Sequence, residues 1–157
     1  MKLAHLLLLS LLYCACVPSN VYEKNVSIQS NRWKSSFKPT YTFEISDTLK
    51  NYQPYLTIRH TDAYPFSNIW LKVNVKKPGD SVFTGGPVDI TLAQSNGKWL
   101  GRGMQDIWEH QLPLSARGEA IHFSRTGTYS IQLEQIMRID PLPEVMSVGV
   151  RLEKITH

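Results

Sequence analysis

Period-two alternation of apolar and polar residues is the feature that most restricts how this chain can fold. In "TYTFEIS", Tyr41, Phe43 and Ile45 share one face while Thr42 and Glu44 share the other. "IWLKVNVK" sets Ile69, Leu71, Val73 and Val75 against Trp70, Lys72, Asn74 and Lys76. The pattern returns in "VDITLA" (Val88, Ile90, Leu92), "TYSIQLEQ" (Tyr129, Ile131, Leu133) and "MSVGVRLEK" (Met146, Val148, Val150, Leu152). Successive side chains of a strand point to opposite faces, so these stretches read as strands with one buried face. Turn residues separate them. Pro78-Gly79-Asp80 follows one strand, Gly127 precedes another, and Asn96-Gly97 predicts a type I′ hairpin because both residues tolerate positive φ. Strands at this spacing predict an all-β chain folded as a single antiparallel β-sandwich. The stretch 99–117, "WLGRGMQDIWEHQLPLSAR", lacks clean alternation. A single helical turn around 104–109 fits it, and Pro113 bars a longer helix.

The N-terminus follows different rules. Leu3 to Tyr13 is an eleven-residue apolar run broken only by His5 and Ser10. A bilayer-spanning helix needs roughly 20 such residues, so the run is too short to cross. Lys2 ahead of it and small Ala15 behind it make the layout of an export signal. The end of the run, "YCAC", resembles the lipobox of bacterial lipoproteins, with Cys16 as the lipidated residue and Tyr13 where an aliphatic residue is usual. Both cysteines lie in this motif, so an exported domain that could have used a disulfide has none. Each buried methylene contributes ~0.8 kcal/mol, and two or more acyl chains anchor stably without any span. The expected organisation is a lipoprotein signal peptide over 1–15, a lipidated N-terminus and flexible tether over 16–30, and the sandwich domain over 31–157. Trp33 and Phe37 are expected to join that domain. "CVPSN" carries no acid, and Glu23 is the first; surface-exported lipoproteins often carry acids just after the cysteine, so the periplasmic leaflet is expected.

Charge excludes one partner class. Removing Lys2 with the signal takes the formal charge from +4 to +3, and the longest basic run is the pair Lys76-Lys77. A nucleic-acid binder clusters its basic residues on one element. No nucleic-acid partner is expected.

Chemistry is sparse. Histidines at 5, 60, 110, 122 and 157 show no metal-ligand spacing, so no metal is expected. His122 alternates with Ile121 and Phe123 and should point outward. Asp106, Glu109 and His110 read as solvated polar residues. There is no Gly-x-Ser-x-Gly elbow, and the acids Asp62, Asp106, Glu109 and Asp140 show no convergence that spacing alone could prove. Gly101 and Gly103 lack the Lys and Ser/Thr offsets of a phosphate loop and read as permitting a bend or bulge. No catalytic residue and no cofactor are expected. What stands out is aromatic and arginine content at loop-like positions: Arg59, Asp62, Tyr64, Trp70, Trp99, Arg102 and Trp108 form the candidate partner surface. Trp, Tyr and Arg dominate interface hot spots; packing under the loops is the competing use for them. Alternation puts Trp70 opposite the aliphatic face of its strand.

Taken in order, "VYEKNVSIQSNRW" (21–33), "RHTDAYPFSNIWL", "NGKWLGRGMQDI", "TGTYSIQLEQIMR" and "LPEVMSVGVRLEK" resemble the gliding-motility lipoprotein GldH family of Bacteroidetes-type bacteria, across nearly the whole mature chain. The resemblance implies an outer-membrane lipoprotein required for surface gliding where the species glides, linked to type IX secretion, with no catalytic residues to carry over. It implies a non-catalytic binding component whose partners are the membrane, through Cys16, and other envelope proteins. The rival from another class is a carbohydrate-binding module or glycan-active enzyme, and a purely structural anchor is a third reading. Fold alone cannot separate these.

Overall fold

The computed structural model describes residues 21–114 and 118–155. The strands are β1 (Val21–Ser27), β2 (Arg32–Trp33), β3 (Thr40–Ile45), β4 (Asn51–Thr61), β5 (Asn68–Lys76), β6 (Thr84–Thr91), β7 (Arg102–Met104), β8 (Ile107–Pro113), β9 (Ile121–His122), β10 (Gly127–Gln135), β11 (Leu142–Pro143) and β12 (Val145–Lys154). They form a six-stranded sheet in the order β1-β12-β4-β8-β7, with β9 also on β4, and a four-stranded sheet in the order β3-β10-β5-β6. Every pairing is antiparallel. The two sheets close on one core, as the alternation predicted. Tyr41, Phe43 and Ile45 of β3, Tyr129, Ile131 and Leu133 of β10, and Val148, Val150 and Leu152 of β12 are all buried. Tyr41 crosses between the layers, its hydroxyl donating to the Val148 carbonyl at 2.7 Å.

Two ends of the sandwich differ in how they are closed. At the end where β1 begins, Phe43, Phe123, Tyr129 and Tyr52 fill the core, Phe123 meeting Tyr129 at 4.7 Å and Tyr52 at 5.2 Å edge to face while Phe43 stacks on Tyr129. Such pairs add to simple area burial. At the opposite end, β2 and β11 form a two-stranded cap with Trp33 opposite Leu142. Trp33 is fully buried, and its Nε1–H donates to the Phe37 carbonyl at 2.9 Å. Asp140 staples the cap by accepting from the Ser35 amide at 2.9 Å and the Ser35 hydroxyl at 2.6 Å. Those donors hold its carboxyl below the usual carboxylate range.

Several expectations are corrected. Residues 21–27, expected within the flexible tether, are the edge strand β1, paired with β12 along their whole length. Tyr22 and Val26 pack against the core, and Ile28 is buried. An apolar face spaced through a polar segment is enough to dock it, and docking satisfies the backbone edge that β12 would otherwise expose. The expected helical turn at 104–109 is instead the β7–β8 hairpin, with Gln105 at φ +54. The Asn96-Gly97 turn is not type I′: only Gly97 takes positive φ, at +83, while the Gly97 amide donates to the Gln94 carbonyl and the Gln94 amide to the Lys98 carbonyl. That is the three-residue hairpin with glycine in the left-handed position. The longest strand, β4, falls in a stretch read as loop-like at Arg59. Its inward residues Tyr52, Leu56, Ile58 and His60 are spaced by two around Pro54, which sits at the handover from β9 to β8.

Candidate functional site

β4 ends at the capped pole, and its last inward residue is His60, opposite Trp108 of β8. One pairing step away on β8, His110 also points into the core. Both histidines are buried, at 0% and 1% exposure. His60 Nδ1 lies 2.7 Å from the Thr61 carbonyl, and a carbonyl can only accept, so this nitrogen carries the proton. His60 Nε2 is then an acceptor, and it takes the Nε2–H of His110 at 2.9 Å. His110 Nδ1 is left as a buried lone pair without a hydrogen-bond partner. Both rings are therefore neutral. Burial pushes His60 below its ordinary value. Burial and then the neighbouring His60 push His110 down to about 4. This corrects the reading of His110 as a solvated residue: the register of β4 against β8 turns it inward.

Above the histidines lies a lid of aromatics. Trp99, brought back by the hairpin through its bridge to Ala93, packs its indole 4.5 Å from the His60 ring, and Tyr64 lies tilted against the same ring at 5.0 Å. Tyr64 is buried, which raises its phenol pKa, and its hydroxyl donates to the Asn68 carbonyl at 3.0 Å. Asp62, just past the end of β4, holds the lid together. One oxygen, Oδ1, accepts the indole N–H of Trp99 at 3.0 Å and that of Trp108 at 2.9 Å. The Asp62 amide donates to the Asp106 carbonyl at 2.7 Å, clipping this loop to the β7–β8 turn. Gly103 lies directly across from Trp108, and a Cβ there would come within 2.8 Å of the indole ring. The glycines at 101 and 103 therefore serve close approach, since neither takes a positive φ.

Replacing Asp62 by Ala leaves two indole donors without their shared acceptor while touching no core residue. The expected cost is about 1–2 kcal/mol, with a red shift of tryptophan emission as the lid loosens; urea titration followed by fluorescence reads both.

The seven candidate residues do not form one patch. Asp62, Tyr64, Trp99 and Trp108 meet in the lid. Arg59 and Arg102 flank Glu109 in register across the outer face of the larger sheet, where Arg102, Glu109, Gln111, Arg151 and Glu23 line a groove of about 360 Å³. Arg151 engages Glu23 at 2.5 Å and Glu153 at 2.6 Å, so three charges of that face are already paired. Trp70 sits on the opposite face of the sandwich, 41% exposed, beside Phe66, Ile136 and Met137 in a groove of about 610 Å³. Sequence reading missed His60, His110 and the exposed apolar residues Leu100 and Met104. The i, i+2 spacing of Tyr52, Leu56, Ile58 and His60 carried the first of these. Nothing local marked His110. His122 is exposed, as its alternation with Phe123 predicted.

Among the described residues, no three His, Cys, Asp or Glu side chains converge as a metal site, and no helix is long and apolar enough to cross a membrane. Cys16 and the signal over 1–15 lie outside the described residues.

The arrangement is a saturated aromatic lid on a β-sandwich, and a family model described as GldH lipoprotein matches residues 20–152. The chain belongs to the GldH lipoprotein family. The gliding motility lipoprotein GldH homolog of Christiangramia forsetii is 28% identical over 151 residues, covering 92% of this chain and 90% of that protein. The gliding motility lipoprotein GldH of Flavobacterium johnsoniae is 27% identical over 157 residues, covering 95% of this chain and 94% of its own. Among solved structures, a carbohydrate-binding module specific for non-crystalline cellulose overlaps 87% of this chain and 75% of its own at TM-score 0.44 and 11% identity, a likeness too loose to build on. Family membership implies an exported, lipid-anchored protein, and the family's relatives tie it to gliding motility.

Proposed function

We propose that this GldH-family protein is a non-catalytic assembly component of the gliding machinery and its linked type IX secretion apparatus. Cys16 anchors it to the outer membrane, in the periplasmic leaflet, and the capped pole of the sandwich binds another envelope protein. The observation that carries this reading is the state of the lid. The indole N–H groups of Trp99 and Trp108 are both turned onto Asp62, while Leu100, the chain neighbour of Trp99 that lines the outer-face groove with Arg102 and Glu109, and Met104, opposite Ile107 at the β7–β8 turn, stay 47% and 73% exposed. Rigid aromatics with internally satisfied polar handles, next to exposed apolar side chains, suit the dry centre of a protein interface. A glycan site would instead offer donors and acceptors free to bind hydroxyls.

The test is a photocrosslinking amino acid placed at Leu100 or Met104, with Lys24 on the β1 edge as the control position. Irradiation of intact cells is expected to give an adduct of defined mass from the two rim positions, and Cys16→Ala should lose it along with membrane retention. Absence of adducts from both rim positions in an anchored, folded protein removes the protein-binding reading. The lid should then be titrated with a glycan panel.

A further inference from the structure

We propose that the pole of the sandwich where β1 begins is a second membrane contact, resting on an anionic lipid surface beside the Cys16 anchor. The proposal rests on the anchor reading above and adds to it an orientation and a lipid preference. Val21 opens β1 opposite Glu153, which in turn lies opposite Gln53. The chain therefore enters the domain at the end formed by loops 46–50, 77–83 and 123–126. Cys16 is five residues before Val21, and five residues reach at most ~18 Å. A seven-residue strand such as β1 is itself ~24 Å long. With a leash shorter than the domain, an anchored Cys16 holds this pole, and not the Trp99–Trp108 lid, against the bilayer.

The pole has the chemistry of such a contact. Leu49 and Val82, at two of its loop tips, are 92% and 63% exposed, where a folded domain surrounded by water gains nothing from them. Lys50, Lys77 and Arg125 stand on the same three loops, with Lys76 adjoining. The acids there are largely engaged. Asp47 is held by Lys154 at 2.7 Å, Asp80 faces the Lys77 amide, and the strand-end acids Glu44 and Glu153 accept from Thr128 and Arg151. Apolar tips ringed by cations match an interface whose headgroups are negative and whose acyl boundary lies just beneath. The attraction acts only within about a Debye length of the surface, and the short leash keeps the pole inside that range.

The mature chain has no cysteine beyond Cys16, so single cysteines at 49, 82 or, on the far pole, 96 can carry an environment-sensitive fluorophore in the full lipidated protein. The protein is reconstituted in phosphatidylcholine vesicles with and without phosphatidylglycerol, using brominated acyl chains as quencher. Labels at 49 and 82 are expected to be quenched at least about twofold more than the label at 96 in the anionic vesicles. Lys76→Glu with Lys77→Glu, or high salt, should reduce that difference. Equal quenching at all three positions, with acyl mass present on Cys16, overturns this proposal alone. Undiminished quenching in phosphatidylcholine alone overturns its anionic requirement. Labels shielded from water but untouched by bromine mean a protein, such as a second copy, covers the pole, which also overturns it. A protein without acyl mass that leaves the vesicles overturns the anchor reading and this one together.

Discussion

Between pH 6.5 and pH 4 the unfolding free energy of this protein is expected to fall by on the order of 3 kcal/mol, through the buried His60–His110 pair. The sign follows from where the protons go. An unfolded histidine titrates near pH 6.5, whereas His110 in the fold is held down to about 4 by burial and by His60. His60 is shifted in the same direction. Below pH 6.5 the unfolded chain takes up protons that the folded chain refuses, so stability is full above that pH and drains as pH falls toward the folded value. A proton forced onto His110 Nδ1 would sit in the core with no acceptor. Carboxylates held below their usual range, Asp47 and Asp140, act in the same sense but only below about pH 5, so the part of the slope between about pH 5 and 6.5 isolates the histidines. Urea unfolding at several pH values measures the slope, and His110→Phe is expected to flatten it. A variant that keeps the full slope would show that the pair is not its source.

Trp33→Ala is expected to cost about 3–5 kcal/mol, the range for truncating a fully buried large aromatic. Trp33 is at 0% exposure beneath the β2–β11 cap. Removing it also strands the Phe37 carbonyl, which accepts its N–H. The loss falls on the cap as a unit, because Gln135 Nε2 bridges the Trp33 carbonyl and Asp140. Trp70→Ala is the comparison. Its ring is 41% exposed on a sheet face, and its loss is expected to cost about 1 kcal/mol. Urea midpoints for the two variants check the contrast. Equal losses would mean that Trp33 does not plug the core end. In cells, a loss of the larger size lowers the amount of folded protein at the membrane severalfold, so gliding assays with this variant should be normalised to protein level.

The strands with one aliphatic face were legible because their alternation is local. Tyr41-Phe43-Ile45 and Tyr129-Ile131-Leu133 are separated by single polar residues, and both stretches are buried on the predicted face. β4 was obscured by Pro54 and by the charged and polar end Arg59-His60-Thr61, although its inward residues keep the same period. β1 was obscured by its charges, since Glu23 and Lys24 sit beside Tyr22 on a strand with one side in solvent. The candidate surface was half legible. Trp99, Trp108, Tyr64 and Asp62 were marked by residue type and do meet, but Trp70 and the two arginines were grouped with them only by composition and lie on other faces.

The sequence by itself determined the layering of this protein, an all-β sandwich with its apolar faces inward, since side-chain direction along a strand is a property of the chain one residue at a time. The expectation of an export signal over 1–15 likewise rests on length and flanking residues alone and needs no fold. Only the tertiary structure decided what the polar residues do. Asp62 reaches Trp99 and Trp108 across 37 and 46 residues of chain, and His60 meets His110 across 50. Those meetings depend on the register of β4 against β8, and a slip of one residue between the two strands would put His60 and His110 on opposite faces of the sheet.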